Sequence, residues 1–161
     1  MKTYTADWQD KETAIIFNDE KPFGQVTFDA SKWVLYGNAL LLAGGETFRA
    51  ELAQGNNVTI LQGETEIFTA VFRPLWGNLE LRLAGEDTGY DVKGKWFKAG
   101  TRLTDAEDND MIIVTSDPWT GRQMEITVAD AAVSDLMVVA TIYFHIRASA
   151  AKTLGVIIGN M

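Results

Sequence analysis

The sequence predicts a mainly β domain: a closed or nearly closed antiparallel barrel of about twelve strands around one central hydrophobic helix near the C-terminal end. Three observations carry this. From Tyr4 to Val128, short runs rich in Val, Ile, Thr and aromatics are broken by Gly, Asn and Asp. From Ala131 to Ala151 there are twenty-one residues without glycine or proline, and alanine is frequent. Within that stretch, Leu136 to Phe144 is apolar at every angle of the helical wheel, and a helix apolar all round must be buried all round.

The strand region reads as a meander. Ala14 to Phe17 meets the polar Asn18 to Lys21, and Phe23 to Phe28 resumes as a strand. Trp33 to Tyr36 is followed by Gly37-Asn38, a pair suited to a tight hairpin, and then by Ala39 to Ala43, Gly44-Gly45 and Thr47 to Leu52. Val58 to Gln62 and Glu66 to Arg73 follow, with Pro74 marking a strand end because it cannot donate a ladder hydrogen bond. Leu79 to Leu83 alternates strictly, so its leucines are expected on one buried face. Tyr90 to Phe97, Ala99 to Leu103, Met111 to Thr115 and Met124 to Val128 complete the series.

The helix is expected over 131–151, with Asp130 or Ser134 as its N-cap and Asp135 complementing the macrodipole. Arg147 and Lys152 lie toward its C-terminal end, where cations are favoured. The segment Gly155 to Gly159 fits a short final strand or a helical extension equally well. The uncharged run Leu136 to Ile146 has 11 residues, against the roughly 20 that span a bilayer. Stable membrane insertion is therefore not expected, and the interior of a curved or closed sheet is the environment left for this helix.

Composition narrows the function classes. The 161 residues suit one domain, 1–161, with an ordinary 47% hydrophobic and 22% charged content. No cysteine is present, which excludes disulfides, thiolate metal sites and cysteine nucleophiles. Acidic residues outnumber basic ones by 22 to 14, for a net charge of −8 without a Lys/Arg cluster, so nucleic acid is not an expected partner. The N-terminal stretch lacks an apolar signal-peptide core, and a cytoplasmic location is expected.

Tyr90 to Phe97, the acidic turn Thr104 to Asp110 followed by Met111 to Val114, and Asp135 at the head of Leu136 to Ile146 resemble segments of the tubby C-terminal-like superfamily, which includes the LURP-one-related proteins and phospholipid scramblases. The resemblance implies a closed twelve-stranded barrel with a helix through its centre. It does not extend to function: the basic phosphoinositide-contacting pocket of tubby domains has no counterpart cluster here, and the cysteines and proline-rich segment of scramblases are missing.

Few constellations suggest chemistry. His145 is the single histidine, lies in the apolar Tyr143 to Ile146 stretch, and is expected to be a hydrogen-bonded core residue. A serine triad would need it as base, yet no G-x-S-x-G elbow exists. Asp105, Glu107, Asp108, Asn109 and Asp110 form the densest acidic cluster, but the sixth and twelfth positions of an EF-hand counted from Asp105 hold Asp110 and Ser116 in place of glycine and glutamate. A solvated turn is expected there. The glycines form no phosphate-binding pattern, and pairs such as Glu64 with Glu66 or Glu80 with Glu86 have no defined separation. Trp33, Tyr36, Trp76, Trp96, Phe97 and Trp119 are candidates for packing or for lining a ligand cavity.

These readings converge on a non-enzymatic interaction or scaffold domain, with no catalytic, cofactor or metal site expected. Its partner is an unknown protein or a small hydrophobic ligand. The candidate partner-binding loop is Asp117, Trp119 and Arg122. The alternative is a lipocalin-like carrier, which needs a cavity that a helix-filled barrel is expected to lack.

Overall fold

In the computed structural model, the structure describes residues 1–29, 37–73, 75, 77–94, 100–117, 119, 122–129 and 133–159, with side chains through residue 149. Twelve antiparallel strands form a closed barrel: β1 (Lys2–Trp8), β2 (Thr13–Asn18), β3 (Lys21–Phe28), β4 (Ala39–Ala43), β5 (Glu46–Leu52), β6 (Val58–Gln62), β7 (Thr65–Arg73), β8 (Asn78–Leu83), β9 (Glu86–Gly94), β10 (Gly100–Thr104), β11 (Asp110–Ser116) and β12 (Gln123–Val128). Each strand pairs with its neighbours in sequence. The ring closes where β1 pairs with β12, from Lys2 opposite Val128 to Asp7 opposite Gln123. Closure leaves no sheet edge to recruit another chain.

Along most strands, alternate residues point into the lumen, whereas β10 buries Thr101 and Thr104 beside Gly100 and Leu103. Tyr4 and Ala6, Ile16, Val26, Leu41, Ile60 and Ile126 are buried, while their sequence neighbours face outward or lie at intermediate depth. The single helix α1 (Asp135–Gly159) runs inside. Val138 to Ile146 is buried without interruption, as expected of a helix enclosed on every side. Burial of each large apolar side chain in that stretch contributes about 1.5–3 kcal/mol. No helix among the described residues is long and apolar enough to cross a membrane.

The helix packs against β3, β4, β9, β10 and β11. Contact with β3 is closest at Gly24, where a Cβ would stand 2.8 Å from a Val139 methyl and 2.7 Å from the Leu42 carbonyl oxygen. Gly24 pairs with Ala43 on β4, and Ala39 also faces the interior from that strand. Small side chains on this wall let the helix approach the sheet backbone.

Several boundaries differ from expectation. The first strand begins at Lys2, two residues before Tyr4. The helix spans 135–159 instead of 131–151. Ser134 sets its start: its Oγ accepts the Met137 amide at 3.3 Å, and its carbonyl accepts the amides of Met137 and Val138. Asp130 lies outside the described residues. At the far end the helix runs through Gly155, since one glycine costs only about 1 kcal/mol relative to alanine. Gly155 to Gly159 is therefore helical, and Arg147 stands at mid-helix, away from the terminal carbonyls.

Strand β8 also departs from simple alternation. Leu81 is buried, but Leu79 is half-buried and Leu83 is 56% exposed. A register shift against β9 between Glu80 and Arg82 accompanies the change, and the lumen opens beside both outer leucines.

Candidate functional site

The polar side chains of α1 are anchored within the barrel. His145, 2% exposed, bridges two strands: its Nδ1 lies 2.9 Å from Thr101 Oγ1 on β10 and its Nε2 lies 2.6 Å from Ser116 Oγ on β11. A neutral imidazole has one donor and one acceptor nitrogen, which suits two hydroxyl partners. Tyr143 donates its hydroxyl to the Gly37 carbonyl at 2.7 Å. Burial pushes the Tyr143 phenol above its ordinary pKa, and the Arg147 guanidinium offsets part of that rise. Thr141 returns its hydroxyl to the Met137 carbonyl at 2.7 Å. The His145 bonds and the Tyr143–Gly37 bond, which leave the helix, fix its depth and rotation.

Ser116 and His145 are at nucleophile–base distance, but the rest of an acyl-transfer site does not assemble around them. A threonine hydroxyl stands where the orienting carboxylate of a triad would be. The amide following Ser116, that of Asp117, donates to the Gln123 carbonyl at 2.8 Å, so it is committed to the strand ladder.

The helix does not fill the lumen evenly. Two clefts flank Leu81 on the side of β6 to β9. One, of about 340 Å³, lies by the start of α1 and is lined by Ile67, Leu83, Tyr90, Met111 and Met137 among others, with the Thr88 and Ser134 hydroxyls as polar points. The other, of about 330 Å³, lies beside the middle of α1, with Val58, Phe72, Leu79, Val92 and Phe144 as apolar walls and Arg147 among its lining residues. The expectation that a helix-filled barrel leaves no cavity is thus corrected. The helix packs against β3 and β4 on one side and β9 to β11 on the other, and the clefts lie beside β6 to β8 between them.

The predicted loop joins β11 to β12. Asp117 Oδ1 accepts the Trp119 amide at 2.9 Å, and the Trp119 side chain is 93% exposed. Arg122 is exposed at the other end of the loop. Asp117 borders a cleft of about 510 Å³ with Thr5, Asp7, Phe17, Gln123 and Glu125, whereas Trp119 and Arg122 are not among its walls. The structure therefore places one of the three predicted residues in a concavity and two on the open loop.

The acidic turn is internally organised. Asp105 accepts the amides of Glu107 and Asn109 and the Asn109 side chain, which holds its carboxyl below the ordinary pKa. Asp108 pairs with Lys93 at 2.9 Å and Arg102 at 2.8 Å, and Arg102 also reaches Asp110 at 3.0 Å without hydrogen-bond alignment. Among the described residues no group of three or more His, Cys, Asp or Glu is placed to hold a metal. Trp33, Tyr36, Trp76, Trp96 and Phe97 lie outside the described residues.

Arg147 was not singled out as a lumen residue by its sequence position. The available signal was its isolation, as the one charged residue between Asp135 and Lys152.

No family model matches the chain, and no curated protein matches it. A crystal structure of a protein from Arabidopsis thaliana is similar in fold, with a TM-score of 0.65 over 91% of each chain at 14% identity. At that identity the likeness speaks to the barrel-and-helix architecture alone.

Proposed function

We propose that this chain is a non-enzymatic interaction domain of the tubby-like, LURP-one-like type, which meets a protein partner through the β11–β12 loop. The observation that carries this reading is Trp119, 93% exposed on a turn tied down by Asp117. Tryptophan is among the residues most often responsible for interface energy. Support for the tubby-like assignment comes from the closed twelve-stranded ring and its enclosed helix. Support for a non-catalytic role comes from the Ser116–His145 pair, whose His145 Nδ1 faces the Thr101 hydroxyl and whose adjacent amide is occupied.

The test is affinity capture with wild-type protein and the Trp119→Ala variant. Stability should change by no more than about 0.5 kcal/mol, since the side chain is on the surface. A protein retained by the wild type and lost by the variant is the expected result; identical retention by both removes the loop from the interface.

A second reading, a carrier of a small hydrophobic ligand, is favoured by the two clefts beside α1. Their volumes fall at the lower end of the roughly 300–1,000 Å³ range of ligand sites. Titration of the native protein with the neutral dye N-phenyl-1-naphthylamine should enhance its fluorescence saturably. A flat titration overturns this reading.

A further inference from the structure

The two clefts differ in one respect that bears on ligand chemistry. The cleft beside the start of α1 has Thr88 and Ser134 among its lining residues, whereas the cleft beside the middle of the helix is bordered by Arg147. Arg147 is half-buried and has no carboxylate partner among the described residues. Its situation contrasts with that of Arg49, Arg73, Arg82 and Arg102, which all pair with Glu or Asp. The other cation of the cleft, Lys93, is committed to Asp108 at 2.9 Å.

A partly desolvated cation without a counter-ion is costly unless something supplies the charge. Beside it stand the apolar walls Val58, Phe72, Leu79, Val92 and Phe144. Gly94, the last residue of β9, also lines the cleft and pairs with Thr101 on β10.

From these observations we infer that the cleft bounded by β6 to β10 and the middle of α1 binds a small amphiphile with a single carboxylate, its chain against Leu79 and Phe144 and its head on Arg147. The assignment rests on the carrier reading. A guanidinium matches a carboxylate in bidentate geometry. The net charge of −8 disfavours a head bearing several negative charges. At about 330 Å³ the site suits a medium-length chain and not a two-chain lipid.

The experiment compares decanoate with decanol, binding being followed by amide chemical shifts of Val92, Gly100 and Thr101. Decanoate is expected to bind about tenfold or more tightly than decanol, as one charge-assisted contact warrants. Arg147→Gln should remove that preference while leaving decanol affinity within about twofold, and Arg147→Lys should restore part of it. Leu79→Trp, which fills the apolar end, should weaken both ligands and provides a second route should Arg147→Gln fail to fold. Equal binding of the two ligands, or an unchanged preference in Arg147→Gln, overturns the carboxylate assignment and leaves the carrier reading standing. Binding of neither ligand overturns both.

Discussion

The two sides of the barrel treat the same helix differently. On the β3–β4 side, Gly24, Ala39 and Ala43 bring the sheet against Val139 with no spare volume. On the side of β6 to β8, the wall stands off and leaves clefts of about 340 and 330 Å³. Helix position is thus set by β3 and β4 together with β9 to β11, and room for a ligand is a property of the strands between them. Stability and binding are separable in this fold because different residues hold each.

Substitutions can break or sharpen that contrast. The largest effect is expected for Val139→Asp, which places an uncompensated charge in the tightest contact and should cost about 3–5 kcal/mol. A melting temperature equal to the wild type would mean that the helix is not enclosed. Gly24→Val comes next: with 2.7 and 2.8 Å clearances, overpacking should cost about 1–3 kcal/mol in denaturant titration. On the opposite wall Leu79→Ala should cost nearer 1 kcal/mol, below the roughly 2–5 kcal/mol of a closed core, because Leu79 already borders open volume. A Leu79→Ala cost above that of Gly24→Val would reverse the assignment of the two walls.

The smallest effect concerns the acidic turn. Asp105 has its folded-state pKa lowered from 3.8 by the Asn109 and Glu107 amides. The carboxylate form is therefore favoured in the native state, and its contribution is present above the unfolded value. That contribution is lost as pH falls through the lower folded pKa. Asp105→Asn should flatten this acid-limb dependence in thermal melts by slightly lowering the melting temperature at neutral pH while leaving it nearly unchanged at the acid end; an acid limb that persists in the variant assigns the dependence to another carboxyl.

The barrel was legible in the sequence because alternation and turn residues are local signals. Val58 to Gln62 coincides with β6, and the runs at 39–43, 47–52 and 124–128 match strands to within a residue. The enclosed helix was legible too, since no polar stripe interrupts Leu136 to Phe144. His145 met its expectation of a hydrogen-bonded core position through Thr101 and Ser116. What escaped was the lateral placement of α1 in the lumen. That depends on Gly24 meeting Val139, residues 115 positions apart, and no periodicity encodes such a pairing. The clefts and the setting of Arg147 depend on that placement, and the exposure of Leu83 accompanies the register shift of β8 against β9. Trp119 was recognisable as a loop residue, but whether the loop faces a concavity depended on β1 and β12 meeting across the closure.

The helix that occupies the lumen follows all twelve strands in chain order. During synthesis, which delivers the N-terminal part first, Ile16, Leu41 and Ile60 have no partner for their inward faces until residues 138–146 emerge. Ring closure between β1 and β12 joins positions as distant as Lys2 and Val128, a non-local pairing of the kind that slows folding. A nascent chain halted before α1 therefore presents a sheet whose inward apolar face is not covered by the helix.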